Sequence, residues 1–116
     1  MKTVQVAIQD STYADSIRKL LLQDGRHKVH LVAMPDVQLA GVIVLDATEL
    51  HSFPAIATEQ QRLVVVVDKE RDDLTEVWNA GVRYVVFHGD PPHKARIVVL
   101  GAELSLCSGN SGALRL

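Results

Sequence analysis

The chain has 116 residues, 47% of them hydrophobic, which is enough for one domain with a substantial core. Only 4% are aromatic, so that core is aliphatic and valine-rich, and a net charge of -2 argues against a general nucleic-acid or anionic-membrane surface. The single cysteine, Cys107, excludes an internal disulfide and a multi-cysteine zinc site and suits a reducing cytoplasm, while no apolar run approaches the ~20 residues of a membrane helix.

Lys2 is followed by alternating polar and apolar residues, unlike a signal peptide. The first strand-like run is 3–9, followed by Asp10. "STYADSIRKLLLQDG" reads as a helix with Ser11 or Thr12 as cap, Ile17, Leu20 and Leu21 as its apolar face, and Gly25 as its stop. The second run is 28–34, stopped by Pro35-Asp36. The third is "GVIVLDATEL", in which four apolar residues without alternation, as in a strand buried on both faces, end on Asp46. "HSFPAIATEQ" reads as a short helix. The fourth run, Leu63 to Val67, is purely apolar and β-branched after its first residue, and Asp68 ends it. "DDLTEVWNAG" is a short helix capped by Asp72 or Asp73, with Leu74, Val77 and Trp78 turned inward and Gly81 as stop. The fifth run is 83–87. A last helix, with Asp90 as cap and Pro91 in its first turn, runs to about Leu106.

Strands alternating with helices, and strands that are nearly continuous in apolar residues, predict an α/β fold with a parallel sheet covered on both faces. Five strands in this length fit a flavodoxin-like three-layer sandwich of order 2-1-3-4-5. Right-handed crossovers then put the first and last helices on one face and the middle ones on the other. One connection breaks the pattern, because only "PDVQLA" separates Met34 from Gly41. A parallel crossover normally takes a dozen residues or more. Six residues, each spanning roughly 3.3 Å when extended, can make the return only without a proper helix. The second helix is therefore expected to be missing or a single turn, with Val37 and Leu39 as its apolar cover.

In this topology the carboxyl ends of the strands share one edge, where α/β folds place ligands. Asp10, Asp46 and Asp68 then lie within about two strand spacings of ~4.8 Å. Such a cluster fits a hard divalent cation such as Mg²⁺, with Asp10 and Asp46 as its main ligands and Asp68 as a weaker one. Strand-end aspartates are also common turn formers that face water one by one. His27 and His30 are read as surface residues. No glycine-rich phosphate loop and no Ser-His-Asp or Cys-His arrangement is present.

"VAIQDS", "VIVLDATEL", "LVVVVDKE" and "NAGVRYVV" together resemble the receiver domain of two-component response regulators, over nearly the whole of 1–106. The resemblance implies that Asp46 stands at the phosphoaccepting position and Gln9-Asp10 at the position of an acidic pair that binds Mg²⁺. Phosphoryl transfer to Asp46 would follow, the metal neutralising charge on the transferring oxygens. Three departures accompany it. Gln9 is neutral. Where receivers carry a hydroxyl at the end of the fourth strand, this chain has Val67 or Asp68. Where they carry a lysine at the end of the fifth, it has Phe87 or His88. The expectation is an atypical or pseudo-receiver, a dimerisation or partner-docking module that is non-enzymatic and cytoplasmic, with little or no phosphorylation. The alternatives are a working receiver phosphorylated on Asp46 with Mg²⁺, served by a histidine kinase, and a flavodoxin-like module that binds a small ligand.

In the last helix, Ala95, Val98 or Val99, Ala102 and Leu106 form a stripe toward the sheet, and Ile97, Leu100 and Leu104 a second apolar line. That line is either the margin of a wide core stripe or part of a dimer surface. The resemblance implies a homodimer through the fourth helix ("DDLTEVWNAG"), fifth strand and fifth, last helix, with Trp78 and Tyr84 beside it. Residues 107–116, rich in Ser and Gly, read as a flexible tail or as the start of a linker to a C-terminal effector. No nucleic-acid contact is expected from this domain.

Overall fold

A computed structural model of the chain describes residues 2–50, 62–70 and 72–107. The expected helix at "HSFPAIATEQ" and the expected tail from 108 onward lie outside the described residues. The elements in chain order are β1 (Lys2–Ala7), α1 (Ser11–Leu22), β2 (His27–Leu31), β3 (Val42–Asp46), a 3-10 turn at Ala47–Glu49, β4 (Leu63–Val67), α2 (Leu74–Asn79), β5 (Tyr84–Phe87) and α3 (Pro92–Cys107). The five strands form one all-parallel sheet in the order β2-β1-β3-β4-β5, as the strand pattern predicts.

Both faces of this sheet are covered, which is why its strands are apolar without alternation. On one face Val4, Val6, Val42, Val44, Val64, Val66 and Val86 pack against Ile17 and Leu21 of α1 and Ala95, Val99 and Ala102 of α3. On the other, Ile43, Leu45, Leu63, Val65 and Val67 pack against Ala47, Leu50, Val77 and Val82. Burying each of these large aliphatic side chains stabilises the fold by roughly 1.5–3 kcal/mol. The inward stripe of the last helix is thus as expected, while Trp78, assigned inward by the helical pattern, is 48% exposed.

No helix joins β2 to β3. Two buried polar side chains take its place. The side-chain amide of Gln5, 1% exposed, pairs with both backbone groups of Asp36: its Nε2 donates to the carbonyl at 2.8 Å and its Oε1 accepts from the N–H at 2.7 Å. The guanidinium of Arg62, also buried, donates from Nε to the Gly41 carbonyl (2.7 Å), from Nη1 to that of Val37 (2.8 Å), and from Nη2 to that of Leu39. Backbone groups that a helix would have paired internally are satisfied here by side chains from β1 and the start of β4. Gly41 closes the crossover with φ at +112°, a region open to glycine, and its α-carbon lies against the Thr3 carbonyl of β1.

The histidine reading needs correction. His27 is 4% exposed, held between Asp24 and Glu103, whereas His30 is half-buried. No described helix is long and apolar enough to cross a membrane.

Candidate functional site

The loops after β1, β3, β4 and β5 enclose a cleft of about 510 Å³ at the carboxyl edge of the sheet. Asp10, Asp46 and Asp68, the three acids singled out from the sequence, all line it. Glu70 and Asp72 add two carboxylates that the strand pattern did not indicate, and Gln9, Thr48, Val66 and His88 complete the wall. Parallel register explains the convergence: Asp46 of β3 stands beside Val66 of β4, so the next residues out from each strand end reach the same rim.

Four of these acids, Asp10, Asp46, Asp68 and Asp72, are engaged by nearby backbone. Asp10 Oδ1 accepts from the N–H groups of Thr12 and Tyr13, both at 3.1 Å, and so is the N-cap of α1 in place of Ser11 or Thr12. Its Oδ2 lies 3.5 Å from His88 Nε2. The Tyr13 N–H above all, then His88 and the Thr12 N–H, hold the Asp10 carboxyl below its ordinary range against a desolvation cost. Asp46 Oδ2 accepts from the Gln9 N–H at 2.8 Å, and the Gln9 side chain donates to Glu49 Oε1 at 3.3 Å. Burial pushes the Asp46 carboxyl above its ordinary range, with Glu49 and Asp72 adding to the effect. The Gln9 N–H and His88 oppose it.

Asp68 and Asp72 close their loop on each other. The Asp68 N–H donates to Asp72 Oδ2 and the Asp72 N–H to the Asp68 carbonyl, both at 2.8 Å. Asp68 Oδ1 accepts from the Glu70 N–H at 2.9 Å. Asp73 is the residue that caps α2, through the Thr75 N–H. The acids therefore share a cleft and act as turn formers at once.

Among the described residues no group of three His, Cys, Asp or Glu side chains could hold a metal ion. Asp10 Oδ1 and Asp46 Oδ2 accept from backbone N–H groups.

The carboxyl ends of β4 and β5 carry no hydroxyl or lysine. Val67 is buried in the core. Phe87 packs on the same core cluster, and Lys69 Nζ lies over its ring, 4.5 Å from the centroid, in a cation–π contact. His88 donates its N–H to the Val67 carbonyl (2.8 Å), and its ring lies tilted 6.0 Å from that of Tyr13. No lysine or arginine is among the described residues lining the cleft.

The apolar residues assigned to an interface lie outside the cleft. Ile97 and Leu104 are 60% and 65% exposed, whereas Leu100 is half-buried. Tyr84 is half-buried, with its hydroxyl hydrogen-bonded to that of Ser105. Set against protein-family models, curated proteins and solved structures, the chain matches none of them.

Proposed function

We propose that this chain is an atypical receiver-like signalling domain of flavodoxin-like architecture, a homodimerising module that does not accept phosphate. The observation that carries this reading is the charge of the Asp46 cleft. Five carboxylates line it, and none of its described lining residues is a lysine or arginine. A phosphoryl group brings two or more negative charges, so transfer depends on preorganised cations and donors around the transferring oxygens. Here the position of a hydroxyl donor is filled by buried Val67 or by Asp68, and that of a cationic tip by Phe87 or His88, none of which is a hydroxyl or a lysine. Each absent stabiliser raises the barrier by about 3 kcal/mol, or roughly a hundredfold in rate.

Signalling by association is supported by the outer side of α3 and the end of α2. Trp78, Ile97 and Leu104 are large apolar side chains facing solvent on elements that flank the edge strand β5. Leu100 and Tyr84 are half-buried. Sedimentation velocity over a wide concentration range tests the dimer. The wild-type chain is expected to associate reversibly, and the double variant Ile97→Glu, Leu104→Glu to remain monomeric with an unchanged circular dichroism spectrum. A wild-type protein that stays monomeric at high concentration contradicts the dimer.

A further inference from the structure

His27 opens β2, and both of its ring nitrogens face carboxylates. Nδ1 lies 3.0 Å from Asp24 Oδ1, in the turn after α1. Nε2 lies 2.8 Å and 3.0 Å from the two oxygens of Glu103, 76 residues away on α3. The His27 and Glu103 side chains are 2% and 5% exposed. A neutral imidazole carries one N–H and one lone pair, so it can donate to only one of these acids and sets its lone pair against the other. An imidazolium donates to both. The geometry therefore suits the charged ring, and it joins the C-terminal half of α3 to the edge strand of the sheet.

We propose that His27 is a pH-sensitive latch: its protonated ring clamps the C-terminal half of α3 onto the start of β2, and loss of its proton releases that half of the helix. The charged groups around it are few. Asp24 comes from the turn and Glu103 from α3. Arg96, also on α3, acts on Asp24. Lys2, the β1 register partner of His27, and its chain neighbours Arg26 and Lys28 are exposed.

Burial pulls the His27 pKa down, but the Glu103 and Asp24 carboxylates outweigh it and the net direction is upward. A folded-state value above the unfolded value of about 6.5 gives stabilisation that is complete below about pH 6.5 and is lost as pH rises through the folded value. Between those two values the opening constant rises about tenfold per pH unit, as one proton is released. Asp24, lowered first by the Arg26 N–H and then by His27, works in the opposite sense. Its contribution is present above the ordinary aspartate value and lost as pH falls through the folded one, well below this window.

Hydrogen exchange followed by mass spectrometry between about pH 6 and pH 9, corrected for intrinsic exchange, tests the latch. Protection of peptides covering 100–107 is expected to fall by up to about tenfold per pH unit through the window, while that of β3 and β4 holds. Glu103→Gln, which keeps an acceptor for a neutral ring, is expected to flatten this dependence. Protection that is constant with pH, that falls equally in β4, or that falls as steeply in Glu103→Gln overturns the latch. Should that variant not fold, the wild-type ring decides by carbon-proton NMR: titration of His27 above the ordinary histidine value is expected, and titration at or below it overturns the proposal.

Discussion

Gly41→Ala is expected to destabilise the domain by about 3 kcal/mol or more, a large share of the roughly 5–15 kcal/mol that holds a domain of this kind together. A Cβ built on Gly41 falls 2.0 Å from the Thr3 carbonyl oxygen and 3.1 Å from its carbon. Both atoms are backbone of β1, so no side chain can swing aside. Relief requires β1 and β3 to part next to the register pair Val4–Val42, where both residues are fully buried. The φ of +112° adds strain for any residue with a side chain, whatever the space. Urea unfolding measures the loss through the midpoint. A Gly41→Ala midpoint equal to wild type would show that the crossover does not run as described.

Arg62→Ala is expected to cost about 3 kcal/mol, through a different route. The guanidinium reaches three carbonyls of the crossover, at Val37, Leu39 and Gly41. Its removal leaves those acceptors to whatever water can reach them and also withdraws the aliphatic stem from the core. Hydrogen bonds from a charged donor contribute about 1.5–3 kcal/mol each, and the partial exposure of this loop keeps the total well below their sum. Arg62→Lys should recover only part of the loss, because an ammonium lacks the planar fork that serves divergent acceptors. The urea midpoints of the three proteins check the ordering: wild type, then lysine, then alanine. A lysine variant equal to wild type would mean that charge or stem packing, rather than the three-way hydrogen bonding, accounts for Arg62.

These two residues mark the boundary of what the sequence makes legible. Periodicity and apolar runs reveal the five strands, and chain reach the lack of a second helix, whereas the strand order comes from the flavodoxin-like pattern that five such strands fit. The devices that make the short crossover viable are not local. Gln5 reaches Asp36 across 31 residues and Arg62 reaches Val37 across 25, and nothing in the spacing of a Gln or an Arg announces a backbone partner. His27 is hidden for the same reason, since its burial depends on Glu103.

The candidate site divides similarly. Asp10, Asp46 and Asp68 converge because parallel strands end on one edge, which topology alone predicts. Which way each oxygen points depends on the loop. Asp10 turns one oxygen back to cap its own helix, a role that the sequence pattern assigns to Ser11 or Thr12. Asp72 lines the cleft and accepts from the Asp68 N–H, while its neighbour Asp73 caps α2. The absence of a lysine at the end of β5 was plain from the sequence. That the nearby Lys69 is held over the Phe87 ring was not, because a flexible ammonium has many possible resting places.

The central claim concerns what happens at Asp46 when a phosphoryl donor is offered. Incubation with acetyl phosphate and Mg²⁺, followed by intact mass, tests it directly, with Asp46→Asn as the comparison. The acid-rich cleft predicts a wild-type mass unchanged from that of the untreated protein. A phosphoryl adduct on the wild-type chain that is absent from Asp46→Asn would contradict the account and identify a working phosphoacceptor.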